Sequence, residues 1–382
     1  MKKTLLLTEN FPPINGGSGR WFWELYSRLP TDKVFIATHN VEGSESFDKL
    51  HNLNIIRLSL VSREWGLRSS LGLKFYWKSF WAIRKLIKKH DIEEIHCGRV
   101  IHEGVTAWLL HMFSGISYRC FIHGEDVETA ATSREQSWLV RQVCKNAINL
   151  ICNSHNSASL VQSLGFSSLD KCDVLHPGVD TERFKPSPVD NTFRAKMGWE
   201  RKFVLLTVGR LQMRKGQDML IKALPQLLEN NENLHYAIVG KGEALEELKT
   251  LVSDNNLSEN VDILTDADDN LMTKCYQQCD LFVLPNRTIG NDIEGFGMVL
   301  LEAQACGKFV VAGDSGGTKE ALLEGKTGFI INCSSVSNVA IGLAKSINEV
   351  HSRILDPTAL HEDIHMKFGW GHHVSKFKRI IG

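Results

Sequence analysis

From end to end this chain alternates short apolar runs with longer amphipathic segments, the pattern of strands and helices in a parallel, doubly wound α/β sheet. The first strand-like runs fall at 3–8, 34–38, 55–58, 94–97, 118–122, 150–153 and 173–175. Residues 184–190, Phe-Lys-Pro-Ser-Pro-Val-Asp, then carry two prolines and no apolar periodicity, which marks a junction. After it a second series begins, at 203–208, 235–239, 261–264, 281–284, 309–312 and 328–331. The chain is therefore expected to form two Rossmann-like domains, 1–185 and 190–365. A C-terminal helix at about 366–382, with Trp370, Val374, Phe377 and Ile381 on one side, is expected to pack back on the first. The 382 residues suit two domains at roughly 100 to 200 residues each. Doubly wound sheets hold their ligand crevices at the carboxyl ends of the strands, and two such ends facing across a cleft suit an enzyme with two substrates.

The totals exclude several classes. Hydrophobic residues at 43% and charged residues at 23% describe an ordinary globular protein. With 44 basic and 44 acidic side chains, a nucleic-acid or membrane partner has to be argued from local charge, and no nucleic-acid partner is expected. The N-terminal leucines stop at Thr8-Glu9-Asn10, a buried strand and not a signal peptide. No run approaches the roughly 18 to 20 apolar residues of a membrane-spanning helix, so export and integral insertion are not expected. Nine scattered cysteines without a C-x-x-C pair fit a reduced, cytoplasmic protein. Cys275 and Cys279, helically adjacent, have no nearby histidine to complete a metal set.

Two segments carry anion-binding chemistry. The strand at 203–208 runs into Gly209-Arg210-Leu211-Gln212-Met213-Arg214-Lys215-Gly216, cations at the carboxyl end of the first strand of its sheet. The loop 286–297 ends in Glu294-Gly295-Phe296-Gly297 and opens into a helix from Met298 and Val299 through Glu302. Its glycines let backbone N–H groups approach a ligand, and the helix start favours a diphosphate. Glu302, among Leu300, Leu301, Ala303 and Ala305, suits sugar hydroxyls as partners. By themselves these glutamates are also readable as ordinary helix residues, Glu294 as an acid that complements the helix dipole.

The Glu-Gly-Phe-Gly-x-x-x-x-Glu-Ala segment at 294–303 and Gly-Arg-Leu-x-x-x-Lys-Gly at 209–216 resemble the signature of the retaining glycosyltransferases of family 4, which have the two-domain GT-B fold. Phe11-Pro12-Pro13-Ile14-Asn15-Gly16-Gly17 is similar to that family's N-terminal glycine loop, His123-Gly124-Glu125-Asp126 to its mid-domain histidine element, and 176–184 to its segment before the linker. The resemblance implies that Arg210 and Lys215 clamp the donor diphosphate and that Glu302 binds ribose hydroxyls. Glu294 would hold sugar hydroxyls, and Gly209, Gly295, Phe296 and Gly297 would line the donor with Met298 and Val299. Gly16 and Gly17 would lie near the diphosphate and the acceptor, His123 would meet the donor sugar, and Asp126 would belong to the acceptor side.

No cofactor and no metal are implied. Asp266-x-Asp268 imitates a metal motif of another glycosyltransferase fold but reads as a cap of the next helix. The base would meet Ile263 and Leu264, where this chain departs from the usual Phe-Leu-Gly. Arg-Lys-Gly-Gln-Asp at 214–218, Glu-Ala-Gln-Ala-Cys-Gly at 302–307 and Ser-Gly-Gly-Thr at 315–318 look most like the phosphatidylinositol mannosyltransferase group, which implies GDP-mannose as the nucleotide-sugar. Other readings on the same fold are a nucleotide-sugar 2-epimerase, which needs no acceptor, and a non-catalytic nucleotide-sugar or glycan binding module.

The segment 74–89, KFYWKSFWAIRKLIKK, places Phe75, Tyr76, Phe80, Ile83, Leu86 and Ile87 on one helix side at about 100° per residue. Trp77 and Trp81 fall instead among the cations, including Lys78 and Lys85. Indoles between basic side chains suit the headgroup region of an anionic membrane, and hence a sugar or lipid-linked acceptor. The competing reading covers both indoles with the loop 65–73 or lays them on basic side-chain stems. Between Arg63 and Lys89 the one acid is Glu64.

Overall fold

The computed structural model describes residues 1–14, 16–62, 64, 66–352 and 356–382, so Asn15 of the glycine loop and Arg63 and Trp65 ahead of the basic helix lie outside the described residues. The chain forms two compact units, Met1–Pro177 with Trp370–Gly382, and Gly178–Gly369.

Among the described residues the first unit has seven parallel strands: β1 (Thr4–Thr8), β2 (Val34–His39), β3 (Asn54–Leu58), β4 (Glu94–Cys97), β5 (Ser117–Ile122), β6 (Leu150–Cys152) and β7 (Cys172–Val174). Their order is β3-β2-β1-β4-β5-β6-β7. β1 pairs with β2 through Thr4↔Val34 and with β4 through Thr4↔Glu94. Strand order reverses between β1 and β4, so the loops leaving them diverge and open a crevice. Every residue of β1 is buried, as expected for a strand covered on both faces.

The helix Trp370–Ile381 completes this unit. Phe377 is fully buried, with its ring 5.5 Å from Tyr26 and 6.0 Å from Phe121. The preceding helix, Pro357–Phe368, stays with the second unit, where the Val179 N–H donates to the Phe368 carbonyl at 2.9 Å. The proline-containing segment 184–190 also lies in the second unit, held by Phe184 against Tyr276 with rings 5.6 Å apart.

The second unit contains β8 (Phe203–Val208), β9 (Leu234–Val239), β10 (Val261–Leu264), β11 (Leu281–Leu284), β12 (Val310–Gly313) and β13 (Gly328–Ile331) in the order β10-β9-β8-β11-β12-β13. All pairings are parallel, and the reversal lies between β8 and β11, where Leu205 is opposite Leu281. The cation-bearing loop follows β8 and the glycine-rich loop follows β11. The two segments singled out in the sequence thus flank one switch point.

Candidate functional site

At the end of β8 the backbone turns through Gly209, at φ +147°, and Leu211 donates its N–H to the Lys241 carbonyl at 2.9 Å. A short turn at Met213–Lys215 is closed by Gly216, at φ +78°. A β-carbon on Gly216 would lie 1.9 Å from the Pro285 carbonyl oxygen, so only glycine lets the two loops meet this closely. The turn directs Lys215 inward, to 9% exposure, while Arg210 stays exposed.

Glu294 is fixed from two directions. Its carbonyl accepts from the Gly317 N–H at 2.9 Å, and a β-carbon on Gly316 would lie 1.9 Å from that same oxygen. On the side-chain end, Oε2 is 2.5 Å from Lys215 Nζ and 2.6 Å from Arg214 Nη1, and Arg214 Nε also reaches Asp292 at 3.0 Å. Burial works to raise the carboxyl pKa, but the Lys215 and Arg214 charges outweigh it and hold the group below its ordinary value. Glu294 is therefore an ionised acceptor inside the protein.

A second, half-buried ion pair braces the loops. Arg287 grips Asp218 through two hydrogen bonds of 2.7 and 2.9 Å, and the Arg287 N–H donates to the Arg214 carbonyl at 2.8 Å. Asn286, fully buried, donates to the Ser315 carbonyl and accepts from the Gly313 N–H. Sequence reasoning placed Arg214 among the cations of its turn and Asp218 in a motif but assigned neither of them, nor Arg287, a role. An arginine inside a glycine loop that follows a buried strand was the available signal.

Gly297, at φ +87°, ends the loop and precedes the helix Met298–Ala305, whose N-terminus has no side-chain cap. Phe296 is 3% exposed, with its ring 6.3 Å from Phe368, so its side chain anchors the loop, while Gly295, Met298 and Val299 are half-buried beside it. Glu302, one turn into the helix, accepts from the buried Tyr276 hydroxyl at 2.7 Å, a partner the sequence did not indicate. Ile263 and Leu264 are half-buried at the end of β10, and the Leu264 carbonyl accepts from the Gly240 N–H at 3.0 Å. Beyond them Asp266 pairs with Lys241 at 2.8 Å, and Asp268 caps the next helix by accepting from the Leu271 N–H.

In the first unit, Gly16 and Gly17 are exposed at the start of the helix Gly17–Tyr26. His123 follows β5, is 7% exposed and stands edge-on to Trp21 and Phe22. Burial lowers its pKa, and Nε2 lies 2.8 Å from the Gly98 carbonyl. A carbonyl only accepts, so Nε2 carries the proton and the neutral ring keeps Nδ1 as an acceptor. Asp126 Oδ1 accepts from the N–H groups of His123 and Val127, so this carboxylate organises the histidine turn.

Nearby lies a group of residues absent from the sequence reading. After β1 and β4, His102 Nδ1 is 3.4 Å from Glu9, and Glu103 accepts from the Glu9 N–H at 2.8 Å. Burial pushes the Glu103 carboxyl up to about 7, and its Oε2 has no hydrogen-bond partner among the described residues.

The basic helix spans Ser70–His90. Tyr76 and Ile83 are buried, and Phe75, Phe80, Leu86 and Ile87 are partly buried beside the core. Trp77 and Trp81 are 66% and 49% exposed, so neither indole is buried, although the Arg84 guanidinium lies 5.6 Å from the centre of the Trp81 ring; Lys78 and Lys85 are exposed as well. From the helix Val105–Ser114, Phe113 joins them, 67% exposed with its ring 5.8 Å from Phe80. Among the described residues no helix is long and apolar enough to cross a membrane.

Comparison with known proteins adds to this geometry. Residues 15–183 match Glycosyltransferase Family 4 and residues 189–353 match Glycosyl transferases group 1. The chain is 30% identical, over 88% of its length and 86% of the relative's, to the GDP-mannose-dependent alpha-(1-6)-phosphatidylinositol monomannoside mannosyltransferase of Mycolicibacterium smegmatis. It is 28% identical, over 97% and 95%, to a Corynebacterium glutamicum enzyme named for the monoacylated form of that acceptor. Among solved structures, Anabaena HepE in complex with UDP and glucose superposes with a TM-score of 0.82 at 20% identity, over 100% of this chain and 99% of that one. Sucrose-phosphate synthase from Thermosynechococcus elongatus gives 0.81 at 18%, over 100% and 98%. These two establish a shared fold.

Proposed function

The chain belongs to the family 4 glycosyltransferases, and we propose that it moves mannose from GDP-mannose to a lipid-linked acceptor, with retained configuration and without a metal. As a hexosyltransferase it takes its sugar from a nucleotide-sugar donor. The observation that carries the finer reading is its 30% identity, over most of both chains, to an enzyme named for GDP-mannose and a phosphatidylinositol mannoside.

In this mechanism the bond between the sugar carbon and the diphosphate breaks while the acceptor oxygen forms its bond on the same face, and the acceptor proton passes to the departing phosphate. Charge develops on the diphosphate, so fixed positive groups accelerate the step. Lys215, Arg210 and the uncapped helix start after Gly297 supply them, with Gly16, Gly17 and Gly209 admitting the phosphates close to backbone. Glu294, ionised, accepts from sugar hydroxyls, and His123 offers Nδ1 to one more. Glu302, oriented by Tyr276, takes the ribose hydroxyls. Ile263 and Leu264 flank the base.

Lys215 and Glu294 are partners in the structure, so donor binding on this reading exchanges one ion pair for two contacts: Lys215 to phosphate and Glu294 to sugar. Arg214 keeps Glu294 compensated during that exchange. The exposed Trp77 and Trp81 with Lys78 and Lys85 bring the first unit to an anionic membrane on its cytoplasmic face.

The test is radiolabel transfer into a chloroform-soluble product from GDP-mannose, UDP-glucose and UDP-N-acetylglucosamine, with phosphatidylinositol or its mannoside as acceptor. Transfer from GDP-mannose is expected. Turnover with a uridine donor alone would overturn the donor assignment and leave the family intact.

A further inference from the structure

Between the segment leaving β3 and the N-terminal half of the helix Ser70–His90 lies a cleft of about 390 Å³, within the range of small-molecule sites. Leu58, Leu60, Val61, Leu71, Phe75 and Ala82 supply its aliphatic and aromatic lining, and Lys74 and Lys78 stand at its exposed side. Val61 and Leu71 are 45% and 57% exposed, so the mouth of the cleft presents apolar surface to solvent. Trp77 occupies the same helix turn as Lys74 and Lys78, which joins the mouth to the exposed indole pair.

One wall of the cleft borders residues near the switch point of the first sheet. The Phe75 ring, on the cleft wall, stands 5.2 Å from His102, which in turn approaches Glu9. Glu9 follows β1 and His102 follows β4, so Phe75 stands between the cleft and residues at the switch point of the sheet.

We propose that this cleft binds an acyl chain of the lipid acceptor, with Lys74 and Lys78 engaging the phosphate of its headgroup. The proposal rests on the lipid-linked acceptor argued above and names the site on this chain that takes the lipid. The apolar part of this cleft suits a flexible hydrocarbon chain, whose burial removes both its own surface and that of Val61 and Leu71 from water. Two ammonium groups at the mouth complement a phosphodiester and require no fixed geometry from it. Entry beside Trp77 lets a lipid slide its acyl chain from the interface into the cleft while its phosphate stays at the mouth with Lys74 and Lys78.

The probe is lysophosphatidylglycerol below its critical micelle concentration, measured by calorimetry against glycerol 3-phosphate, which lacks the chain. Wild-type protein should bind the chain-bearing probe at least tenfold more tightly. Ala82→Phe, which fills the cleft, and the charge reversal Lys74→Glu/Lys78→Glu should each weaken that binding about tenfold while leaving GDP binding unchanged. Trp77→Ser/Trp81→Ser should bind monomeric probe normally and lose only vesicles. Equal binding of the two probes, or unaltered affinity in the charge-reversal protein, overturns the proposal; that variant changes only exposed side chains, so it decides the matter even should Ala82→Phe misfold. GDP binding is read separately, so failure of the donor assignment and failure of the lipid site give different results.

Discussion

Lys215 Nζ and Arg214 Nη1 converge on one oxygen of Glu294, at 2.5 and 2.6 Å, at the switch point of the second sheet. A carboxylate this enclosed stays charged only because two cations meet it, and the same lysine is the group best placed to leave it for an anion. The unit therefore holds its charges mutually compensated, and a diphosphate would take over one half of the pair.

Removing the lysine tests this directly. Lys215→Ala should lower kcat by 100-fold or more, since one such contact to developing charge is worth about 2.7 to 4 kcal/mol. Single-turnover transfer from saturating donor measures it, and wild-type turnover would remove Lys215 from the mechanism. Arg210→Ala should show a loss of the same order.

Arg214→Gln should alter the pH profile more than the rate at its optimum. Glu294 sits below its ordinary pKa partly through Arg214, so losing that charge raises it, and the acid limb of kcat/KM should move to higher pH. The stability that the depressed carboxyl contributes is present above the unfolded-state value of about 4.3 and is lost as pH falls through the folded value. Urea titrations of wild type and variant should therefore converge toward low pH. Superimposable kcat/KM profiles would show that Arg214 does not hold the charge of Glu294.

Tyr276→Phe removes the hydroxyl that orients Glu302 and nothing else. A hydrogen bond to a charged group is worth about 1.5 to 3 kcal/mol, so the donor KM should rise roughly tenfold or more with a smaller change in kcat. GDP affinity should fall in parallel. An equal loss with a donor lacking ribose hydroxyls would refute this positioning role.

Gly216→Ala should be costly without touching any ligand. The added methyl meets the Pro285 carbonyl, and the positive φ disfavours any side chain, so destabilisation of about 1 to 3 kcal/mol or more is expected. Thermal melts report it, and a melting temperature equal to wild type would mean the two loops can separate freely.

For the membrane surface, Trp77→Ser/Trp81→Ser should abolish co-sedimentation with anionic vesicles while leaving the melting temperature nearly unchanged, because both indoles lie at the surface, about half or more exposed. Binding should also decline with added salt as the lysine contribution is screened. Undiminished sedimentation of the double variant would remove this surface from consideration.

Strand positions were legible in the sequence because apolar periodicity is a local property: thirteen runs became the thirteen strands of the described residues, displaced by at most one residue at their ends. The motifs at 209–216 and 294–302 were legible for a related reason, since glycines and charges at fixed local spacing mark a strand end or a helix start. What pairs with what was not legible. Arg214 and Glu294 are 80 residues apart and meet because β8 lies beside β11 in the sheet, an order set by how the crossover helices bury both faces. Asp218 and Arg287 come together for the same reason, while Tyr276 meets Glu302 where the helices Asp269–Gln278 and Met298–Ala305 pack together. Sequence alone determined the two sheets and the residue types at their carboxyl ends. Only the tertiary structure decided that the lysine expected to bind phosphate and the glutamate expected to bind sugar neutralise each other, because burying either charge without its partner would cost more than the fold can offset.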